Sequence, residues 1–136
     1  MFDHILEGYD IPAPNSMLRI GAESSAVKHE NLPYSILTNL AHTVLWQDFW
    51  LAKLEGGRKR SSMAEWQNDF RVPDASEWKD LRSRFILGLQ EARRRAASQP
   101  FDHRCSSDAE AVDTLLRIAV HGAYHCGQMN VLKRAK

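Results

Sequence analysis

Two histidines four residues apart, His121 and His125, offer the first sign of chemistry in the sequence. On a helix turning 100° per residue they lie about 40° apart on one face, so both imidazoles can chelate a single ion. The residues around them give the pair a setting. Val112, Leu115, Leu116, Ala119, Ala123 and Cys126 gather on one side of such a helix, while Thr114, His121, His125 and Gln128 form a polar line within about 60° of one another elsewhere. His42 repeats the arrangement: Ile36, Leu37, Leu40, Val44 and Leu51 fall on one side, and His42 faces the other way beside Leu45, Trp46 and Phe49. Histidine among aromatics sits in a partly desolvated pocket, which suits a metal. All three histidines are therefore expected to point away from the aliphatic faces of their helices. Spacing alone leaves two other readings open: a solvated pair on an exposed face, and a His42 that serves as a hydrogen-bonded structural residue.

Helical punctuation supplies the elements that must carry these residues. One helix is expected from Pro33 to about Leu54, with Asn31 as a cap, Pro33 in the first turn and Gly56-Gly57 as its stop. Asp74-Ala75-Ser76-Glu77 reads as a capping box opening a second helix through Trp78, Leu81, Phe85, Leu89 and Ala92, ended by Ser98-Gln99-Pro100. Ser107-Asp108-Ala109-Glu110 opens a third, running to about Arg134, whose Lys133 and Arg134 suit the negative end of the helix dipole. Pro12 and Pro14 break any early helix, leaving a turn at Phe2 to Gly8 and a weaker helix from about Ser16 to Val27. No strand-length alternation and no Asn-Gly or Asp-Gly turn appears. The expected fold is an all-α four-helix bundle forming a single domain over residues 1–136, with a crossover from Arg58 to Val72 that includes a turn at Met63 to Asn68.

The segments Leu40-Ala41-His42-Thr43-Val44-Leu45-Trp46 and His121-Gly122-Ala123-Tyr124-His125-Cys126-Gly127-Gln128 together resemble the DinB-like superfamily, which includes the YfiT-type metal-dependent hydrolases. The resemblance implies a four-helix bundle with a three-histidine divalent-metal site, one histidine from the second helix and a His-x-x-x-His pair from the last. By motif these map onto His42, His121 and His125. It also implies a frequent dimer, and in the better-understood branches a thiol transferase that joins mycothiol or bacillithiol to an electrophile. The chain departs from the pattern in its shortened N-terminal helix, which puts in question the substrate contacts the family draws from there.

Three neutral imidazoles would leave a divalent ion, zinc or nickel by ligand preference, with open positions for water or substrate. Such an ion could serve either hydrolysis or the activation of a small thiol. No carboxylate falls within a turn of His121 or His125 on their side of the helix, Glu110 being three turns away, and this favours thiol activation, or mere metal binding, over hydrolysis. Trp46, Phe49, Tyr124 and Gln128 are the residues expected to line the pocket or orient water and imidazoles. Cys126 falls in the small-residue seam and is an apolar filler, so Cys105, in the polar loop Asp102 to Asp108, is the more reactive thiol.

Composition bounds the rest. Lys plus Arg number 18 and Asp plus Glu 17, a net charge of +1 that names neither nucleic acid nor membrane as partner. The basic runs Arg58-Lys59-Arg60 and Arg93-Arg94-Arg95 lack interleaved aromatics and read as solvated helix ends. Acid rather than base follows Met1, no apolar stretch spans a bilayer, and two cysteines make no disulfide framework, so a reduced cytoplasmic setting is expected. A small-molecule substrate is the expected partner, together with a homodimer through an apolar face near Trp66 or Trp78. The competing reading is a non-catalytic helical bundle that acts through dimerisation or partner binding, its histidines incidental.

Overall fold

A computed structural model describes residues 1–56 and 62–135. The expected Gly57, the basic run Arg58-Lys59-Arg60 and the start of the crossover lie outside these. Helices in chain order are α1 (Phe2–Leu6), α2 (Pro14–Met17), α3 (Ala22–Ala26), α4 (Ile36–Leu54), α5 (Met63–Asn68), α6 (Trp78–Ala97) and α7 (Asp108–Arg134). The described residues contain no strand, and the fold is all-α. No helix among them is long and apolar enough to cross a membrane.

Capping sets the three long helices. Ser35, in extended conformation, accepts a hydrogen bond from the Thr38 amide at 3.1 Å, so α4 starts at Ile36 rather than at Pro33. Asp74 and Glu77 form the expected capping box, through one 3-10 turn at Ala75–Glu77 that leads into α6. Ser107 caps α7 by accepting from the Glu110 amide at 3.1 Å, but the Glu110 carboxylate reaches back one residue further, to the Ser106 amide at 3.0 Å. Gly56, at φ 76°, closes α4 in a left-handed conformation that a side chain would strain.

The weaker helix expected over Ser16 to Val27 is instead the pair α2 and α3, with Leu18 to Gly21 breaking the run. The Ile20 carbonyl accepts from Trp78 Nε1 at 3.0 Å, and Leu18 is fully buried, so this segment serves tertiary contacts in place of a helical ladder. The short N-terminal helices occupy the fourth position of the bundle. Phe2 and Ile5 of α1 are buried against α6 and α7, and Arg93 ties α1 to α6 through Asp3 and Glu7 at 3.2 and 3.4 Å. Trp78, expected near an open apolar face, is 5 % exposed and belongs to the core, whereas Trp66 is 65 % exposed. Arg95 also departs from the solvated reading of its run: it is buried and bonded to Glu91 and Glu55.

The expected interior face of α7 is rotated. Val112 and Leu116 are exposed, while Thr114, Ile118, Gly122, His125, Met129 and Leu132 are buried. Together with Ala111, Leu115, Ala119 and Cys126 they span an arc of about 140°. His125 lies inside that arc and His121 at its margin, so the pair turns into the bundle, not away from it. On α4 every residue from Ile36 to Val44 is buried, which leaves His42 no solvent face to occupy. The apolar core nevertheless remains continuous, with Leu37, Leu40 and Val44 of α4, Phe85 and Leu89 of α6, and Ile118 and Met129 of α7.

Between α4 and α6, the missing side chain of Gly88 leaves room for Gln47. Gln47 is 2 % exposed there and donates through Nε2 to the Arg84 and Phe85 carbonyls at 3.2 and 3.3 Å. A methyl group at Gly88 would stand 1.8 Å from that nitrogen and 2.6 Å from Gln47 Cδ. Gly88→Ala is therefore expected to destabilise the fold by roughly 1–3 kcal/mol in denaturant melts, although alanine is the better helix former by about 1 kcal/mol. A variant as stable as the parent would mean that the helices can part without loss.

Candidate metal centre

His42 from the second turn of α4 meets His121 and His125 from the middle of α7. His42 Nε2 lies 3.1 Å from His121 Nε2 and 3.0 Å from His125 Nε2, and one ligand atom from each ring lies within 4.8 Å of the others. His42 and His125 are buried, whereas His121 is partly exposed. The three remaining histidines stand elsewhere: His4 pairs with Asp10, His103 with Asp108, and His29 lies before α4.

Each buried ring has its far nitrogen bonded to an acceptor. The Asp69 carboxylate, just past α5, accepts from His42 Nδ1 in a short hydrogen bond and from the Phe70 amide at 3.1 Å. Asn39 Oδ1 accepts from His125 Nδ1 at 3.1 Å. Asn39 is itself fully buried, and its Nδ2 donates to Gln128 Oε1 at 3.1 Å, while Gln128 Nε2 donates to the Tyr124 hydroxyl at 3.0 Å. With both Nδ1 atoms acting as donors, the Nε2 atoms of His42 and His125 face each other at 3.0 Å, and in the neutral tautomers that ligate metals both present lone pairs there. A cation between two such lone pairs would relieve their repulsion. The separations suit this as well, because two imidazole nitrogens each about 2.0–2.1 Å from one ion stand roughly 3.0–3.4 Å apart.

Burial, then the neighbouring His125 and His42, pushes the His121 pKa down to about 3. Burial, then His42, pushes His125 down to about 4. Both rings are thus neutral near pH 7, which is the state that ligates metals.

Aromatic rings close the site. Phe70 stacks on His42 at 4.0 Å and 11°, and Tyr34 stacks on Phe70 at 4.9 Å. Phe70 holds this position at φ 54°, a left-handed conformation uncommon for a bulky residue. Trp50 stands edge-on to His121 at 5.1 Å, and Tyr124 edge-on to His125 at 5.0 Å. Trp46 and Phe49 stand one step out, Trp46 touching Phe49, Trp50 and Trp66 at 5.7, 5.9 and 5.5 Å.

Several of these residues were not singled out from the sequence. Asn39 could have been, since it precedes His42 by three positions and shares its face. Asp69 and Phe70 come from the crossover, where no periodicity marks them. The expectation that no carboxylate serves the site holds along α7 and fails in three dimensions, because Asp69 arrives at His42 from another segment. Cys105 is the more accessible thiol, Cys126 being buried with its pKa pushed up to about 12, but its Sγ donates to the Lys53 carbonyl at 3.6 Å and burial raises its pKa as well.

The depressed imidazole pKa values couple stability to pH. In the unfolded chain these rings take up protons near pH 6.5, whereas in the fold they resist until about 3 and 4, so the unfolded state binds more protons across that window. Stability of metal-free protein should be full above pH 6.5 and fall as the pH drops toward 4.5, by at most about 1.4 kcal/mol per pH unit for each ring and less after solvent screening. Thermal melts of chelated wild type and His121→Gln check this, with the shallower slope expected in the variant. Identical slopes would show that His121 is not desolvated.

No curated protein and no solved structure matches this chain. A family model described as the DinB superfamily does match, over residues 19–129, a span that takes in His42, Asn39, Asp69, His121, His125 and Gln128. By that match, laid over the helical fold just described, the chain belongs to the DinB superfamily.

Proposed function

We propose that the chain is a metal-dependent enzyme acting on a small molecule, with His42, His121 and His125 holding a divalent ion, zinc or nickel. The reaction we favour joins a low-molecular-weight thiol to an electrophile: the thiol loses its proton, sulfur bonds to the electrophilic carbon, and the leaving group departs. Hydrolysis is the alternative reaction at the same place. The observation that carries the reading is the convergence of three imidazoles, two of their Nε2 atoms 3.0 Å apart, with Asp69 and Asn39 holding the opposite nitrogens.

Held by the three imidazoles, a divalent ion would keep open positions and would acidify a thiol or water there. The chain's own groups prepare that place. Asp69 and Asn39 hold the tautomers and orientations of His42 and His125. Phe70 covers the ring of His42. Gln128 fixes Asn39, and Tyr124 receives the far end of the relay. Asp69 is engaged by His42 and by the Phe70 amide, so it acts as an orienting carboxylate, and that engagement favours thiol activation over base-assisted hydrolysis.

One observation favours the second reading, a bundle acting through self-association. Val112, Leu116, Val120, Tyr124 and Val131 form an exposed row along α7, each at least 45 % exposed. Under that reading a homodimer would persist in chelator and in His125→Ala.

Protein purified without a nickel column should carry close to one divalent ion per chain, lost in His125→Ala, and should conjugate monochlorobimane with a small thiol faster than it cleaves a generic ester. Wild type free of metal would overturn the reading, and thiol-independent ester cleavage would transfer it to hydrolysis. Asp69→Asn and Asn39→Leu should each weaken metal binding by about 10–100-fold in competition with a chromophoric chelator, the cost of losing the partner of a ligating imidazole. Unchanged affinity in both variants would remove those residues from the centre.

A further inference from the structure

The approach to the three imidazoles is one-sided. His42 and His125 are 8 % and 4 % exposed, the first beneath Phe70 and the second against Asn39, so the partly exposed His121 marks the open side. Trp50 edges that ring at 5.1 Å, and from it the aromatic surface runs on to Trp46 at 5.9 Å and then to Trp66 at 5.5 Å. Three of the chain's four tryptophans stand in this run. The fourth, Trp78, is accounted for by the core and by its bond to the Ile20 carbonyl. Core packing does not account in the same way for Trp66, which is 65 % exposed.

Resting on the metal-site reading above, we infer that the ligand of this centre is a small molecule with a flat aromatic body, laid against Trp50, Trp46 and Trp66, and an anionic donor end directed at the imidazoles. Indole rings recognise flat apolar bodies through offset and edge contacts. They also attract cations, but a divalent charge beside His121 repels a cationic ligand, which leaves neutral and anionic molecules. Ring-to-ring steps of 5.9 and 5.5 Å, with planes inclined by 35° and 73°, make the run a folded aromatic wall of small-molecule length, well below the scale of a protein interface.

The test uses the full chain and two probes that share a metal-binding group. Zinc-loaded protein is titrated with benzohydroxamate and acetohydroxamate by calorimetry, and the aromatic probe is expected to bind at least about tenfold more tightly. Trp66→Ala, at an exposed position, should cut that ratio to about threefold while leaving acetohydroxamate unchanged. Equal affinities in zinc-loaded wild type would overturn the inference and leave the metal site standing. Metal-free protein titrated with 1-naphthol tests the platform without the ion: saturable binding weakened by Trp66→Ala supports it, and no binding overturns it. Failure to take up zinc would instead sink the metal reading, and the naphthol arm would still decide whether the tryptophans hold an aromatic body.

Discussion

Two imidazole nitrogens facing each other at 3.0 Å inside a helical bundle are an electrostatic liability unless a proton or a metal ion lies between them, and the structure around them is arranged to hold that pair in place. A carboxylate and a carboxamide grip the opposite nitrogens, so neither ring can relieve the repulsion by turning over. The carboxamide is fully buried, and its own amide group is met in turn by Gln128. A polar group in such surroundings is tolerated only when its partners are supplied, because an unmet donor or acceptor costs about 1–3 kcal/mol. The chain of bonds from His125 to the Tyr124 hydroxyl meets that requirement and ends where water can reach it.

The same constraint accounts for the way α4 and α7 pack. Apolar contacts among Leu40, Val44, Phe85 and Ile118 fill the interior alongside the polar cluster, so one bundle holds both a dry core and a polar pocket. His125 follows Gly122 by less than one turn on α7, and Gly122 faces Leu89 and Phe85 of α6. Side chains that stabilise the bundle and side chains that form the centre thus alternate along one helix. Changes meant for one will be felt by the other.

Much of this was legible in the sequence, and what was missed has physical causes. Helix ends could be read from Ser107, from the Asp74–Glu77 box and from Gly56, since capping chemistry is local. Ser35 took the start of α4 from Asn31 and Pro33 because its hydroxyl reaches the Thr38 amide. The three histidines were found by spacing, but their direction was misjudged: an angular count treats apolar residues as the buried side, and here Asn39 and His125 are buried because they satisfy each other, and Thr114 because its hydroxyl donates to the Glu110 carbonyl at 2.8 Å. Val112 and Leu116 went to the surface for the same reason. Asp69 and Phe70 could not be found, since a residue that reaches the site from an irregular crossover leaves no periodic mark.

The crossover places Asp69 and Phe70 side by side, and the Phe70 amide is bonded to the very oxygen of Asp69 that engages His42. Carboxylate and aromatic cover are therefore carried by one two-residue unit, Asp69 extended and Phe70 left-handed. Were that unit to relax into ordinary extended backbone, the charge that steadies the imidazole and the ring that shelters it would be withdrawn together. At this corner of the protein, wetness and basicity cannot be adjusted one at a time.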